Sequence, residues 1–170
     1  MNEVMTFESE TINAIVEEKS TRSMTDKVNE LTAVLLDYPI VEMPLVHTFT
    51  EGLYTRKIFM PAGTMVVSQV HNSQHQFFVM KGAVSVWIDE GVEQYYEAGD
   101  SGITEPGTQR VLYIWEDCYW VTSHPNPDNL TVEEIEEKIL DKIDNPYLDE
   151  KMKGRLLEIK QEIKNNSITI

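Results

Sequence analysis

The chain has one cysteine, Cys118, in 170 residues. A lone thiol excludes an internal disulfide and every multi-cysteine metal site. Basic residues are also scarce: 14 Lys and Arg stand against 29 Asp and Glu, a formal net charge of −15. A non-specific nucleic-acid binder needs a basic footprint to displace counterions, and an anionic membrane surface asks for the same. The expectation is therefore no nucleic-acid partner and no membrane partner. Long apolar runs are missing too. The longest is Val111 to Trp115, against the roughly 20 residues of a membrane span. The first residues are polar and acidic, with neither a basic n-region nor an apolar h-region. Together with the single cysteine this sets the expectation of a cytoplasmic protein. No Gly-x-Ser-x-Gly elbow and no Gly-rich phosphate loop is present.

What is there is globular composition, with 41% hydrophobic and 25% charged residues. The acidic excess is uneven. Residues 43–125 carry 9 acidic and 4 basic side chains, residues 1–42 carry 9 and 3, and residues 126–170 carry 11 and 7. The expected organisation is an arm over residues 1–24, a β-rich core with a leading helix over 25–128, and a helical extension over 129–170. Val28, Leu31, Val34 and Leu35 line one face of a helix expected over Asp26–Asp37, with Thr25 as N-cap. Pro39 and Pro44 end it and lead into an extended stretch, Val41 to Phe49.

Short strands are expected at Leu53–Met60, Thr64–His71, Gln76–Met80, Ala83–Asp89, Gln94–Glu97, Gly102–Thr104, Thr108–Glu116 and Cys118–His124. Pro61-Ala62-Gly63, Lys81-Gly82, Glu90-Gly91, Gly99-Asp100 and Pro106-Gly107 punctuate them. Such spacing predicts a sandwich or closed barrel rather than a βαβ sheet. After the breaker run Pro125–Asn129, Thr131 and Glu134 form a capping box for one helix. A last helix runs from about Leu148 to Asn165. Its stripe of Met152, Leu156, Ile159 and Ile163 needs a partner, either the barrel or another subunit.

Four histidines exist: His47, His71, His75 and His124. Side chains two apart on a strand share a face, so Gln69 and His71 point the same way. His75 follows across the Asn72-Ser73-Gln74 turn and opens the next strand. This strand–turn–strand can bring Gln69, His71 and His75 to one point. Two neutral imidazoles with an amide or carboxylate oxygen can hold a first-row transition metal. The candidate ions are zinc, iron, manganese or nickel.

The same segment resembles the first motif of the cupin superfamily: a glycine, five residues, His-x-His, three or four residues, Glu, six residues and a glycine. Gly63 and Gly82 match the two glycines. Gln69 falls on the first histidine, His71 on the second and His75 on the glutamate. Gly99-Asp100 and Pro106-Gly107 match turns of the second motif, whose histidine is replaced by Gln109 or Arg110. Residues 31–137 more closely resemble small cupin-like proteins frequently encoded in bacteriophage genomes. Gly52 to Thr64, the His71-to-His75 turn, Pro106 to Arg110 and Trp120 to His124 carry this likeness. That group has an acidic residue where this chain has Gln74. The resemblance implies a mainly β fold, a small double-stranded β-helix (jelly-roll) barrel, with one helix before it and two after. It also implies a phage origin, hence a host cytoplasm, and it supplies no reaction.

The other candidates each carry two readings. His124 shares a face with Trp120 and Thr122, and is a third metal ligand if that face is interior. Arg110 either binds a carboxylate or phosphate of a small ligand or pairs with Glu105 or Glu116. Arg56 has the same ambiguity. His47 is expected at the surface or between subunits, and Cys118 as a buried, inert thiol. Trp87, Trp115 and Trp120 read as packing, and Glu133 to Glu137 as a solvated helix face. Two functions stay open. One is a cupin-like barrel binding one divalent metal through His71, His75, Gln69 or His124 and binding or processing a small anionic ligand through Arg110 or Arg56. The other is a non-enzymatic binding, accessory or structural phage assembly module. Either is expected as a homo-oligomer, with a dimer favoured.

Overall fold

A computed structural model of the chain describes residues 23–88, 92–142 and 144–170. The expected arm lies outside the described residues up to residue 22, as does the Glu90-Gly91 turn. The elements in chain order are α1 (Met24–Leu35), β1 (Leu45–Thr50), β2 (Gly52–Met60), β3 (Met65–Val67), β4 (His75–Trp87), β5 (Glu93–Glu97), β6 (Ser101–Thr104) and β7 (Val111–Asn126). α2 (Val132–Ile139), α3 (Glu150–Asn165) and β8 (Ile168–Thr169) complete them.

Two long antiparallel strands organise the sheet, whose order is β5-β4-β7-β2-β1-β8. β4 meets β7 along one side. On its other side it meets β6 through His75–Phe78 and β5 through Ala83–Trp87. β7 likewise meets β3 near its start and β2 over Cys118–Asn126. Each long strand therefore serves two different neighbours along one edge, and the sheet curls into a mainly β jelly-roll barrel with three helices outside it among the described residues. The core is Met60, Phe77, Val79, Val84, Val86, Leu112, Ile114, Cys118 and Trp120, drawn from β-branched and aromatic residues that pack well on a pleated face. The Cys118 thiol is fully buried and burial raises its pKa to about 11, so it is inert as expected.

One expected turn and one expected strand break are corrected. The Lys81-Gly82 turn and the break at Asp117, between the strands expected over Thr108–Glu116 and Cys118–His124, do not separate strands. β4 and β7 run straight through them, with register shifts between Val79 and Val84. Gly82 sits at φ +82°, and a Cβ there would lie 2.4 Å from the backbone oxygen of Asp117. A positive-φ glycine reads as a turn in sequence, whereas here it makes a bulge that lets the two chains approach. The strand expected over Thr64–His71 shrinks to Met65–Val67.

The helices differ less from expectation. α1 begins two residues early, with Ser23 rather than Thr25 as N-cap. The Thr131–Glu134 capping box is present. α2 buries Ile135 and Ile139 against Tyr54 at one end of the barrel. α3 buries no residue, so its stripe is only half-covered. The extension is not a separate appendage, because β8 adds to the edge of β1 in parallel and the Asn145 amide donates to the Asn29 carbonyl of α1.

Candidate metal centre

His75 is the first residue of β4 and His124 lies near the end of β7. Alternation puts His75 on the buried face with Phe77 and Val79, and His124 on that of Trp120. The interior reading of His124 therefore holds: it is fully buried, and His75 is 4% exposed. His71 lies on the loop between β3 and β4. Its position comes from the C-terminal extension. His71 forms an isolated β-bridge with Leu140, the Asn72 N–H donates to the Ile139 carbonyl at 2.9 Å, and the Asp141 N–H donates to the Val70 carbonyl at 3.0 Å. Thus the loop, two strands and the end of α2 bring three histidines together.

One ring nitrogen of each histidine lies within 4.8 Å of the others. Ring centroids are 4.4 Å apart for His71–His75 and for His75–His124, and 5.5 Å for His71–His124. In His75 and His124 the second ring nitrogen is tied to the protein. His75 Nδ1 faces the Ser73 carbonyl at 3.3 Å, and His124 Nε2 faces Thr122 Oγ1 at 3.1 Å. A carbonyl can only accept, so His75 Nδ1 carries the proton and Nε2 keeps its lone pair. The Gln69 backbone carbonyl acts in the same sense on His71. His75 Nε2 and His124 Nδ1 are left buried without a hydrogen-bond partner. Buried nitrogens are rarely unpaired, and fixing the far nitrogen is how proteins orient imidazole ligands.

The electrostatics keep the rings neutral. Burial, then the neighbouring histidines and Arg56, push His124 down to about 3. Burial, then His75, Arg56 and Arg110, push His71 down to about 3. Burial also lowers His75, with the Ser73 carbonyl opposing and Arg110 adding. Neutral imidazole is the form that binds metal.

The remaining sequence candidates take up different places. The Gln69 side chain is exposed, and only its backbone addresses the cluster. Gln74 donates to both carboxylate oxygens of Glu105 at 3.0 Å. Arg56 faces Glu136 of α2 at 3.8 Å. Arg110 pairs with neither Glu105 nor Glu116. It is 6% exposed, donates to Thr104 Oγ1, and lies over the rings of Phe77 (5.0 Å) and Trp120 (5.8 Å). Burial lowers its pKa to about 10, so it stays charged at neutral pH. Thr104 is paired in register with His75, which places Arg110 one side chain away from the cluster.

His47 corrects the expectation of a surface residue. It is 1% exposed, and its Nδ1 meets the Tyr54 hydroxyl at 2.7 Å. Tyr54 in turn stacks near His124, with centroids 5.7 Å apart. Leu45 and His47 share the buried face of β1, while Val46 and Thr48 lie on the other. Of the tryptophans, Trp120 is in the core and Trp115 is 54% exposed. The acidic run is the solvated helix face expected, with Glu133, Glu134 and Glu137 exposed and surface pairs from Glu133 to Lys164 at 2.9 Å and from Glu137 to Lys142 at 3.6 Å.

A jelly-roll barrel with a histidine trio, two of its members buried and His71 half-buried, is thus the class that fold and site define. Several solved structures similar to this chain are described as cupins, one of them with a double-stranded β-helix fold. A cupin from Shewanella frigidimarina is 22% identical, with TM-score 0.40, over 49% of this chain and 75% of its own. A cupin family protein from Methanocaldococcus jannaschii is 16% identical, with TM-score 0.41, over 50% and 84%. The EutQ protein of Clostridium difficile is 16% identical, with TM-score 0.43, over 51% and 69%. The likeness is partial, and the barrel stands on its own strand pairing. No protein-family model and no curated protein matches the chain. No helix among the described residues is long and apolar enough to cross a membrane.

Proposed function

We propose that His71, His75 and His124 hold one divalent transition metal. The observation that carries this is the convergence of three imidazoles with two buried ring nitrogens that nothing else satisfies. Three nitrogen donors suit zinc, iron or nickel better than manganese, which prefers oxygen. Three protein ligands leave a coordination position open, and a metal so held can polarise a bound oxygen donor. Thr122 and the Ser73 carbonyl orient the rings, Tyr54 backs His124, and Arg110 anchors a small anionic ligand. Gln69 serves through its carbonyl in this reading, and Arg56 through its contact with α2.

One observation favours the non-enzymatic alternative. Phe77 and Trp120 stack at 4.5 Å, with Tyr96 at their edges and Arg110 above. Side chains therefore fill the interior beside the site. Two grooves, of about 550 and 350 Å³, lie elsewhere, beside the start of α2 and beside α1. A binding module that holds a metal without turnover fits such an interior. The chain also forms a homodimer in our reading. Light scattering should return twice 19.6 kDa, and the monomer mass would contradict it.

Cobalt(II) titration followed by visible absorption tests the site. One equivalent should give the intense bands of a low-coordinate nitrogen set. A spectrum of hexaaqua cobalt in wild type, unchanged in a His75→Ala variant, would sink the reading.

A further inference from the structure

The electrostatics of the cluster are one-sided. The charged neighbours that act on its rings are Arg56 and Arg110, both cationic. Arg56 faces a carboxylate, Glu136. Arg110 has none among the described residues: its side chain is 94% buried, one arm goes to a neutral hydroxyl, its plane rests on two aromatic faces, and Nε has no partner. The histidine group contains no carboxylate ligand either. A divalent ion on three neutral imidazoles beside Arg110 would gather several positive charges in a site where two of the histidines and Arg110 are buried. Like charges in such surroundings repel far more than they do in water. Something anionic must enter with the metal.

We propose that Arg110 makes metal binding at the three histidines dependent on a small anion, and that this anion is a carboxylate. The inference rests on the metal reading above and names the ligand class of that site. The anion is small because the interior beside the site is packed, with Phe77 and Trp120 stacked at 4.5 Å and Tyr96 at their edges. Carboxylate follows from the guanidinium, whose planar fork matches two oxygens in one plane. Arg110 spends one terminal nitrogen on Thr104 and keeps Nε free for such an acceptor. Metal and anion then bind with positive coupling, each raising the affinity of the other by the same factor.

Zinc affinity, measured against a chromophoric competitor in chloride-free buffer with and without acetate, tests this. Wild type should bind zinc on the order of tenfold more tightly with acetate present. Arg110→Met should lose the acetate effect and, without acetate, bind zinc more tightly than wild type. Arg110→Lys keeps the charge and should keep part of the effect. Equal wild-type affinity in both buffers, or an undiminished acetate effect in Arg110→Met, would overturn the inference. Zinc bound regardless of acetate leaves the metal centre standing and removes only the anion. Zinc bound in neither buffer removes both. The wild-type comparison decides even where the methionine variant does not fold.

Discussion

His124 depends on two neighbours that the metal would never touch. Thr122 fixes one nitrogen and Tyr54 supports the ring. Replacing Thr122 with Val should weaken zinc binding about 10- to 100-fold, with little change in melting temperature. An equal loss of stability and unchanged affinity would make Thr122 merely structural. Behind Tyr54, His47 gives a pH signature. Burial, then Arg56, lowers its pKa to about 4, with Glu133 opposing weakly. Its folded-state pKa lies below the unfolded value, so the unfolded chain takes up the extra proton first. The stability His47 contributes is full above about pH 6.5 and drains as pH falls toward about 4. Urea unfolding should show wild type losing stability relative to His47→Gln by about 1.4 kcal/mol per pH unit across that window. A pH-independent difference would contradict the burial argument. At this scale the sequence was partly legible. His71 and His75 stood out through their spacing, and His124 through its shared face with Trp120. His47 and Tyr54 did not, because pairing between β1 and β2 decides which face is inside.

Among the elements, β4 and β7 show why four short strands were expected where two long ones run. Gly82 looked like punctuation, and only the ladder to Asp117 reveals it as a bulge. Gly82→Ala should cost more than about 2 kcal/mol, from backbone strain and the collision with Asp117. A thermal scan that shows no loss would contradict the bulge geometry. The boundaries set by chemistry were legible, including the Thr131–Glu134 capping box. What α2 packs against was not, since its apolar face is compatible with any partner. In the fold it buries Ile135 on Tyr54 and holds the His71 loop through Leu140. Ile135→Ala should therefore cost about 2–5 kcal/mol, measured by urea unfolding. A cost under about 1 kcal/mol would mean that α2 is not docked.

Over the whole molecule, the glycine and proline frame announced a barrel more clearly than its chemistry. The histidine trio differs from the ligand set of the motif it resembles, and its third member comes from β7 rather than from the second motif's turn. The chain compensates by folding its C-terminal extension back onto the site. Its overall charge is −15, yet the centre itself lies among cations. A chain of this net charge is a poor match for a polyanionic partner. The most direct measurement is metal content by mass spectrometry on untagged, unchelated protein, beside a His75→Ala/His124→Ala variant. We expect close to one zinc, iron or nickel per wild-type chain and none in the variant. Folded wild type that carries no metal, and takes up none of these ions when offered, would contradict the account.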